Sequence, residues 1–208
     1  MTKLSLLIAS AMCAAAAPAL AETKSYDFTD FDEVSVSAGV DANITVGGDY
    51  SIVAEGAAKD LERLEIKVRD GDLSIGRKSS SFWRRSGNIT VEVSLPALSG
   101  LDVSSGAEAI AENVDAGRFD IEASSGGYAE ASGKCETLEA DASSGGSVEA
   151  DKLECRVVFA EASSGGSIDA YASEEADGDA SSGGSITIEG DPENRSKDTS
   201  SGGRVKFR

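Results

Sequence analysis

The chain has 208 residues, with 37 acidic against 19 basic side chains, a net charge of −18 and no histidine. Phosphates would be repelled by so much negative charge, which excludes nucleic acid as a partner. The lack of histidine removes Ser-His-Asp and Cys-His catalysis and every histidine-ligated metal site.

Residues 1–21 read as a secretory signal peptide. Lys3 is followed by the apolar run Leu4–Ala17 and by Ala19-Leu20-Ala21, a small-residue cleavage site. The run is too short for a spanning helix, and no later segment is apolar enough to be one. Met12 is too large for the small residue that precedes a lipidated cysteine, which argues against Cys13 as an anchor. Export predicts a periplasmic or cell-surface protein. Cleavage removes one charge, that of Lys3, so the mature chain carries −19. Its two cysteines are Cys135 and Cys155, and in an exported chain a pair is bridged more often than catalytic.

Residues 22–98 read as an N-terminal β cap with the first rungs of a repeat. Glu22–Phe31 is a polar lead-in. Val34 and Val36 alternate with serines, and Val40, Ala42, Ile44 and Val46 alternate up to Gly47-Gly48. Tyr50, Ile52 and Ala54 mark a third strand, and Ala57–Leu64 a short helical turn. Leu64, Ile66 and Val68 lead into Asp70-Gly71, a hairpin signal, with Leu73 and Ile75 beyond it. Ile89, Val91, Val93 and Leu95 form a strand that stops at Pro96, which cannot donate to a ladder.

Between these strands lies the loop 77–85. It gathers Arg77, Lys78, Arg84 and Arg85 with Phe82 and Trp83, the one tryptophan of the chain. A cationic, aromatic loop on an acidic protein is a candidate contact for anionic glycan or lipid head groups. The plain alternative is that its aromatics cover the cap.

Residues 99–208 are organised by Ser-Ser-Gly-Gly, which begins at Ser124, Ser143, Ser163, Ser181 and Ser200, with the near copy Ser104-Ser105-Gly106-Ala107 ahead of them. The first serines are 20, 19, 20, 18 and 19 residues apart, a period that predicts a solenoid with one coil per repeat. Small or apolar residues stand five after the first serine (Ala109, Ala129, Val148, Ile168, Ile186, Val205) and seven after it (Ala111, Ala131, Ala150, Ala170, Ile188, Phe207). That is the period of strands, so the fold class is all-β, a parallel β-helix-like solenoid whose coils stack about 4.8 Å apart. The glycines supply the corner. The second serines, Ser105, Ser125, Ser144, Ser164, Ser182 and Ser201, continue the alternation and are expected to form an internal hydroxyl ladder. Near the end, Asp191-Pro192-Glu193-Asn194 is a turn, and Arg204, Lys206 and Arg208 make a charged last strand that discourages pairing with other chains.

Cys135 and Cys155 each stand eight residues before a first serine, in adjacent coils. Stacking would bring their Cα atoms within the disulfide window. Two before each first serine the residue is always acidic: Asp102, Glu122, Asp141, Glu161, Asp179 and Asp198. These should stack outward in one column, with a shorter one at Glu130, Glu149 and Asp169. Like charges at that spacing repel. Solvent, salt, raised pKa values or weakly bound calcium would offset the repulsion. The Gly-Gly-x-Gly-x-Asp calcium repeat is absent, and no other cofactor is implied.

The run Phe31-x-x-Val34-x-Val36-Ser37-Ala38-Gly39-Val40-Asp41-Ala42-Asn43-Ile44-Thr45, the strand ending Leu95-Pro96-x-Leu98 and the Ser-Ser-Gly-Gly coils together resemble the head GIN domain of the putative auto-transporter adhesins. The resemblance covers roughly residues 25–208, with Gly39-Val40-Asp41 standing where the family has Gly-Ile-Asn. It implies a right-handed parallel β-helix-like fold of short rungs and carries over no catalytic residue. A translocating barrel of many ten-residue strands does not follow the last coil, so as an adhesin the chain would be displayed by something else.

Three functions follow from these readings. The first is a non-catalytic envelope protein whose solenoid binds an envelope polysaccharide or protein. The second is a polysaccharide-active enzyme running on carboxylates with Lys134, Lys152 or Arg156. The third is a structural, homo-oligomerising spacer. Product formation from a glycan would single out the enzyme.

Overall fold

The computed structural model describes residues 21–78 and 87–208. The predicted signal peptide, apart from Ala21, lies outside the described residues, as do Phe82, Trp83, Arg84 and Arg85. The architecture is a β-solenoid of about five turns. No helix among the described residues is long and apolar enough to cross a membrane.

The regular coils are four long bent strands, β9 (Glu108–Ala123), β10 (Tyr128–Ala142), β11 (Ser147–Ala162) and β12 (Ser167–Ala180), each parallel to the next. Alternation points Ala109, Ala129, Val148 and Ile168 inward in one stack, and Phe119, Leu138, Val158 and Ala176 in another, all at most 1 % exposed. Most inward positions are alanine or valine, so the core is slender. Its stability comes from repetition of the nearest-neighbour interface.

The corner is a tight turn in which both central residues have positive φ, as in type I′. The second serines take φ between 48° and 57°, and the glycines after them φ between 68° and 83°. The turn closes with Gly127 N–H donating to Ser124 O at 2.8 Å and recurs in each coil. This corrects the expected internal hydroxyl ladder. The second serines stand at the turn tip outside the ladder, where the alternation resets, and all six are exposed. The last glycine of the motif answers a different need. A Cβ on Gly127, Gly146, Gly166 or Gly184 would lie 2.2 or 2.3 Å from a carbonyl oxygen of the coil beneath. The backbones approach too closely there for any side chain.

Coil length varies without disturbing this corner. The register shifts fall on the other side, between Ala131 and Gly133 and between Ala150 and Glu154. Bulges there absorb the extra residues.

The lower coils do not follow chain order. β2 (Glu33–Val36) and β3 (Asp41–Val46) form one coil, joined by a turn at Ala38 and Gly39 with φ 61° and 63°. The chain then leaves through β4 (Ser51–Gly56), the helical turn α1 (Ala58–Leu61) and the hairpin of β5 (Leu64–Arg69) with β6 (Asp72–Arg77). β6 and β7 (Ile89–Leu95) build a coil beneath β2 and β3, and β8 (Gly100–Val103) and β9 build the one above. The first coil in sequence is therefore the second in space. β4 and β5 close the bottom by antiparallel pairing with β7 and β6. The predicted polar lead-in is in part a strand, β1 (Glu22–Tyr26), antiparallel to β4. Its polarity reflects an edge position, not an irregular path.

At the far end β13 (Ser185–Glu189) and β14 (Asn194–Thr199) lie on β12, and β15 (Arg204–Phe207) lies on β13. Arg195 and Lys197 stand above inward Ala176 and Gly178, and every residue of β14 is exposed. Charge thus covers the end of the core, as an edge requires. Cys135 and Cys155 are paired in register and bridged.

Candidate functional site

One sheet face carries the acidic columns. Along it β6, β2, β8, the second halves of β9 to β12, and β14 lie side by side. Register aligns Ser74, Ser35, Asp102, Glu122, Asp141, Glu161, Asp179 and Asp198 in one unbroken outward column. The six acidic members are exposed. The next outward column, four residues before each first serine, reads Asp72, Glu33, Gly100, Asp120, Glu139, Phe159 and Asp177. Parallel pairing without a register shift on this face is what keeps like residues in line.

The electrostatics of the two columns differ. Arg118 pairs with Asp120 at 3.0 Å and with Glu139. No lysine or arginine pairs with the six carboxylates of the first column among the described residues. Partial burial, then the neighbouring Glu122 and Asp72, push the Asp102 carboxyl above the usual carboxylate range. Burial and then Glu161 and Glu122 do the same at Asp141. Burial also raises Asp72, against the hydrogen bond that Ser35 Oγ donates to it at 3.0 Å. All three shifts record the cost of taking a carboxylate out of water, and at Asp102 and Asp141 neighbouring like charges add to it.

Gly100 and Ser35 leave a dip in this face, an open groove of about 530 Å³ walled by Glu33, Asp72, Asp102, Asp120, Glu122 and Asp141. Among the described residues no three acidic or cysteine side chains converge on a point that could hold a metal ion. The column offers neighbouring pairs of carboxylates and no cage. Phe159, at 40 % exposure, is the one large apolar side chain exposed among the described residues. It stands where the neighbouring coils place Glu139 and Asp177. Sequence reading passed over it, although aligning the coils four residues before the first serine would have shown an aromatic in an acidic column.

The shorter column also forms, as Glu130, Glu149 and Asp169 in register. Here Lys152 pairs with Glu130 at 2.8 Å and lowers its pKa. Arg156 joins Glu136 at 2.6 Å to Glu174 at 2.7 Å across the coils, and Lys134 meets Asp115 at 3.1 Å. The three basic residues considered for carbohydrate chemistry are thus all engaged by carboxylates. These pairs are exposed and individually weak.

Of the cationic loop, Arg77 and Lys78 are described. Lys78 is exposed, its Nζ 3.4 Å from Glu62 O. Arg77 is half-buried, and its Nη2 donates to Gly39 O at 2.9 Å and to Gly87 O at 2.8 Å. Beside it Asp60 is 4 % exposed and accepts from Gly87 N–H at 3.2 Å. Arg77 therefore ties the lowest coil to the one above, at the corner where a Ser-Ser-Gly turn would otherwise stack. Nothing in the local sequence signals this, because Gly39 and Asp60 reach it through tertiary contacts.

Fold and face together define a β-solenoid in which one sheet face carries a continuous outward column of six carboxylates, none paired to a lysine or arginine among the described residues. The chain belongs to the putative auto-transporter adhesin, head GIN domain family, whose match covers residues 30–192. A putative adhesin from Bacteroides fragilis shares the fold with a TM-score of 0.73 at 20 % identity, over 90 % of this chain and 97 % of that one. A putative adhesin from Parabacteroides merdae aligns with a TM-score of 0.55 at 13 % identity, over 90 % and 96 %. A putative lipid binding protein from Parabacteroides distasonis aligns with a TM-score of 0.50 at 17 % identity, also over 90 % and 96 %. No curated protein sequence matches the chain significantly.

Proposed function

We propose that the chain is a non-catalytic, exported, adhesin-like protein that holds an envelope polysaccharide or protein on its acidic sheet face. The observation that carries this reading is the unbroken register of six carboxylates, from Asp102 to Asp198, with no cationic side chain paired to them among the described residues. Keeping these charges aligned costs stability. A binding surface is a reason to retain them, since aligned charge steers and orients a partner. The exposed Phe159 ring adds an apolar platform for a sugar face or a side chain. The family's adhesin description supports an exported or cell-surface setting.

The test is capture of partners from native envelope fractions by the purified protein, followed by glycan and protein identification. Phe159→Ser and the triple variant Glu122→Gln, Asp141→Asn, Glu161→Gln are expected to lose at least about tenfold in affinity, the loss of one or two good contacts. Undiminished capture by both variants would overturn the placement on this face. Turnover of a captured glycan would overturn the non-catalytic reading.

A further inference from the structure

The coil built from residues 33–46 is gripped on both sides by chain that follows it. β2 is bonded along one edge to β6 and along the other to β8. β3 is bonded to β7 and to β9 in the same way. Ahead of this coil, β1 is bonded along one edge to β4, whose other edge is bonded to β7, so shedding β1 leaves the grip on 33–46 in place. At the opposite end, among the described residues, the outermost coil has no second grip of the kind that holds 33–46. Among the described residues β14 is bonded along one edge to β12, and β15 along one edge to β13. Each coil below them is bonded to the one above.

We infer that the solenoid is mechanically polar. Under tension between its ends, the C-terminal coils peel off one at a time, while the interleaved N-terminal block stays folded and bears the load. A coil bonded on one edge opens bond by bond from its free end, so few hydrogen bonds carry the force at any moment. Extracting 33–46 instead requires the ladders on both edges of two strands to fail together. Repeat arrays are sums of nearest-neighbour interfaces, so release of one terminal coil leaves the next intact. Forced opening is governed by the rate of the step under load, which differs sharply between these two geometries. The Cys135–Cys155 bridge adds a stop. It closes a 20-residue separation, so that stretch of chain cannot lengthen while the bridge is oxidised.

This hierarchy does not depend on what the acidic face holds, so its test needs no ligand. Residues 22–208 are stretched between N- and C-terminal handles in a single-molecule force experiment. Early events are expected in steps of about 70 Å, one coil of extended chain at roughly 3.6 Å per residue, followed by a last and larger event at higher force. Adding a reductant should lengthen the trace by about another 70 Å, and that length should appear before the last event. A ten-residue Gly-Ser insertion after Asp191 should lengthen an early step by about 36 Å, and the same insertion after Asp49 should lengthen the last one. A first rupture that carries the Asp49 insertion would overturn the inference. So would the reductant-dependent length appearing only with or after the final event. The wild-type trace with and without reductant decides the question even if an insertion variant fails to fold.

Discussion

Cys135 and Cys155 face each other in register on adjacent coils with their Cα atoms 4.5 Å apart, and both side chains are buried. The bridge therefore lies within the stack as one more rung contact, and stacking itself brings the sulfurs together. Closing a loop of about 20 residues is worth roughly 3 kcal/mol by chain entropy. Denaturant unfolding of oxidised and reduced protein should differ by about that amount, and equal midpoints would show that the bridge adds nothing.

The last glycine and the second serine of the motif should respond differently to substitution. Gly146→Ala would place a Cβ 2.2 Å from Ala123 O. The coils would have to part there, at an expected cost of about 2–4 kcal/mol. Ser144→Gly removes a Cβ from a residue at φ 51°, where nothing needs the side chain inside. It should be neutral or stabilising by up to about 1 kcal/mol. Thermal melts of the two variants check the contrast.

Asp102 and Asp141 give the acidic column a pH signature. Their carboxyls are raised in the folded state by burial and by their neighbours, Glu122 and Asp72 for one, Glu161, Glu122, Glu139 and Asp120 for the other. The folded state then binds protons more tightly than the unfolded chain. Stability from these groups falls as pH rises through the interval between the ordinary carboxylate value, about 3.9, and the raised one. Glu130 and Glu174, lowered by Lys152 and Arg156, act in the opposite sense and mask part of the trend. The double variant Asp102→Asn, Asp141→Asn should therefore melt higher than wild type at pH 7. That advantage should shrink toward pH 4. An advantage that did not change with pH would assign it to something other than the burial and crowding of these charges.

Arg77 is expected to matter for folding first. Arg77→Ala leaves Gly39 O and Gly87 O without their donor and buried Asp60 without its neighbouring cation, and should cost about 3 kcal/mol. Arg77→Lys cannot span both carbonyls in the same way and should recover only part of the loss. A variant that keeps full stability would return Arg77 to the pool of contact residues.

Much of this molecule is legible in its sequence because the fold is nearly a translation. The spacing of Ser124, Ser143 and Ser163 predicts the coil, and alternation about them predicts that Ala129 and Val148 face in while Glu122 and Asp141 face out. Equivalent positions in successive coils predict the Cys135–Cys155 register. Each statement needs only a local period and a neighbour one coil away. Other features depend on contacts that no period contains. The wedging of 33–46 between 72–95 and 100–123 is a choice among compatible strand edges, made by which pairing closes the core at its lower end. Arg77 acquires its role from Gly39 and Asp60, both distant in sequence. The outward second serines follow from the turn, because two residues at positive φ break the alternation that seemed to run through them. Local periodicity determines what each coil buries; long-range packing decides which coil lies beside which.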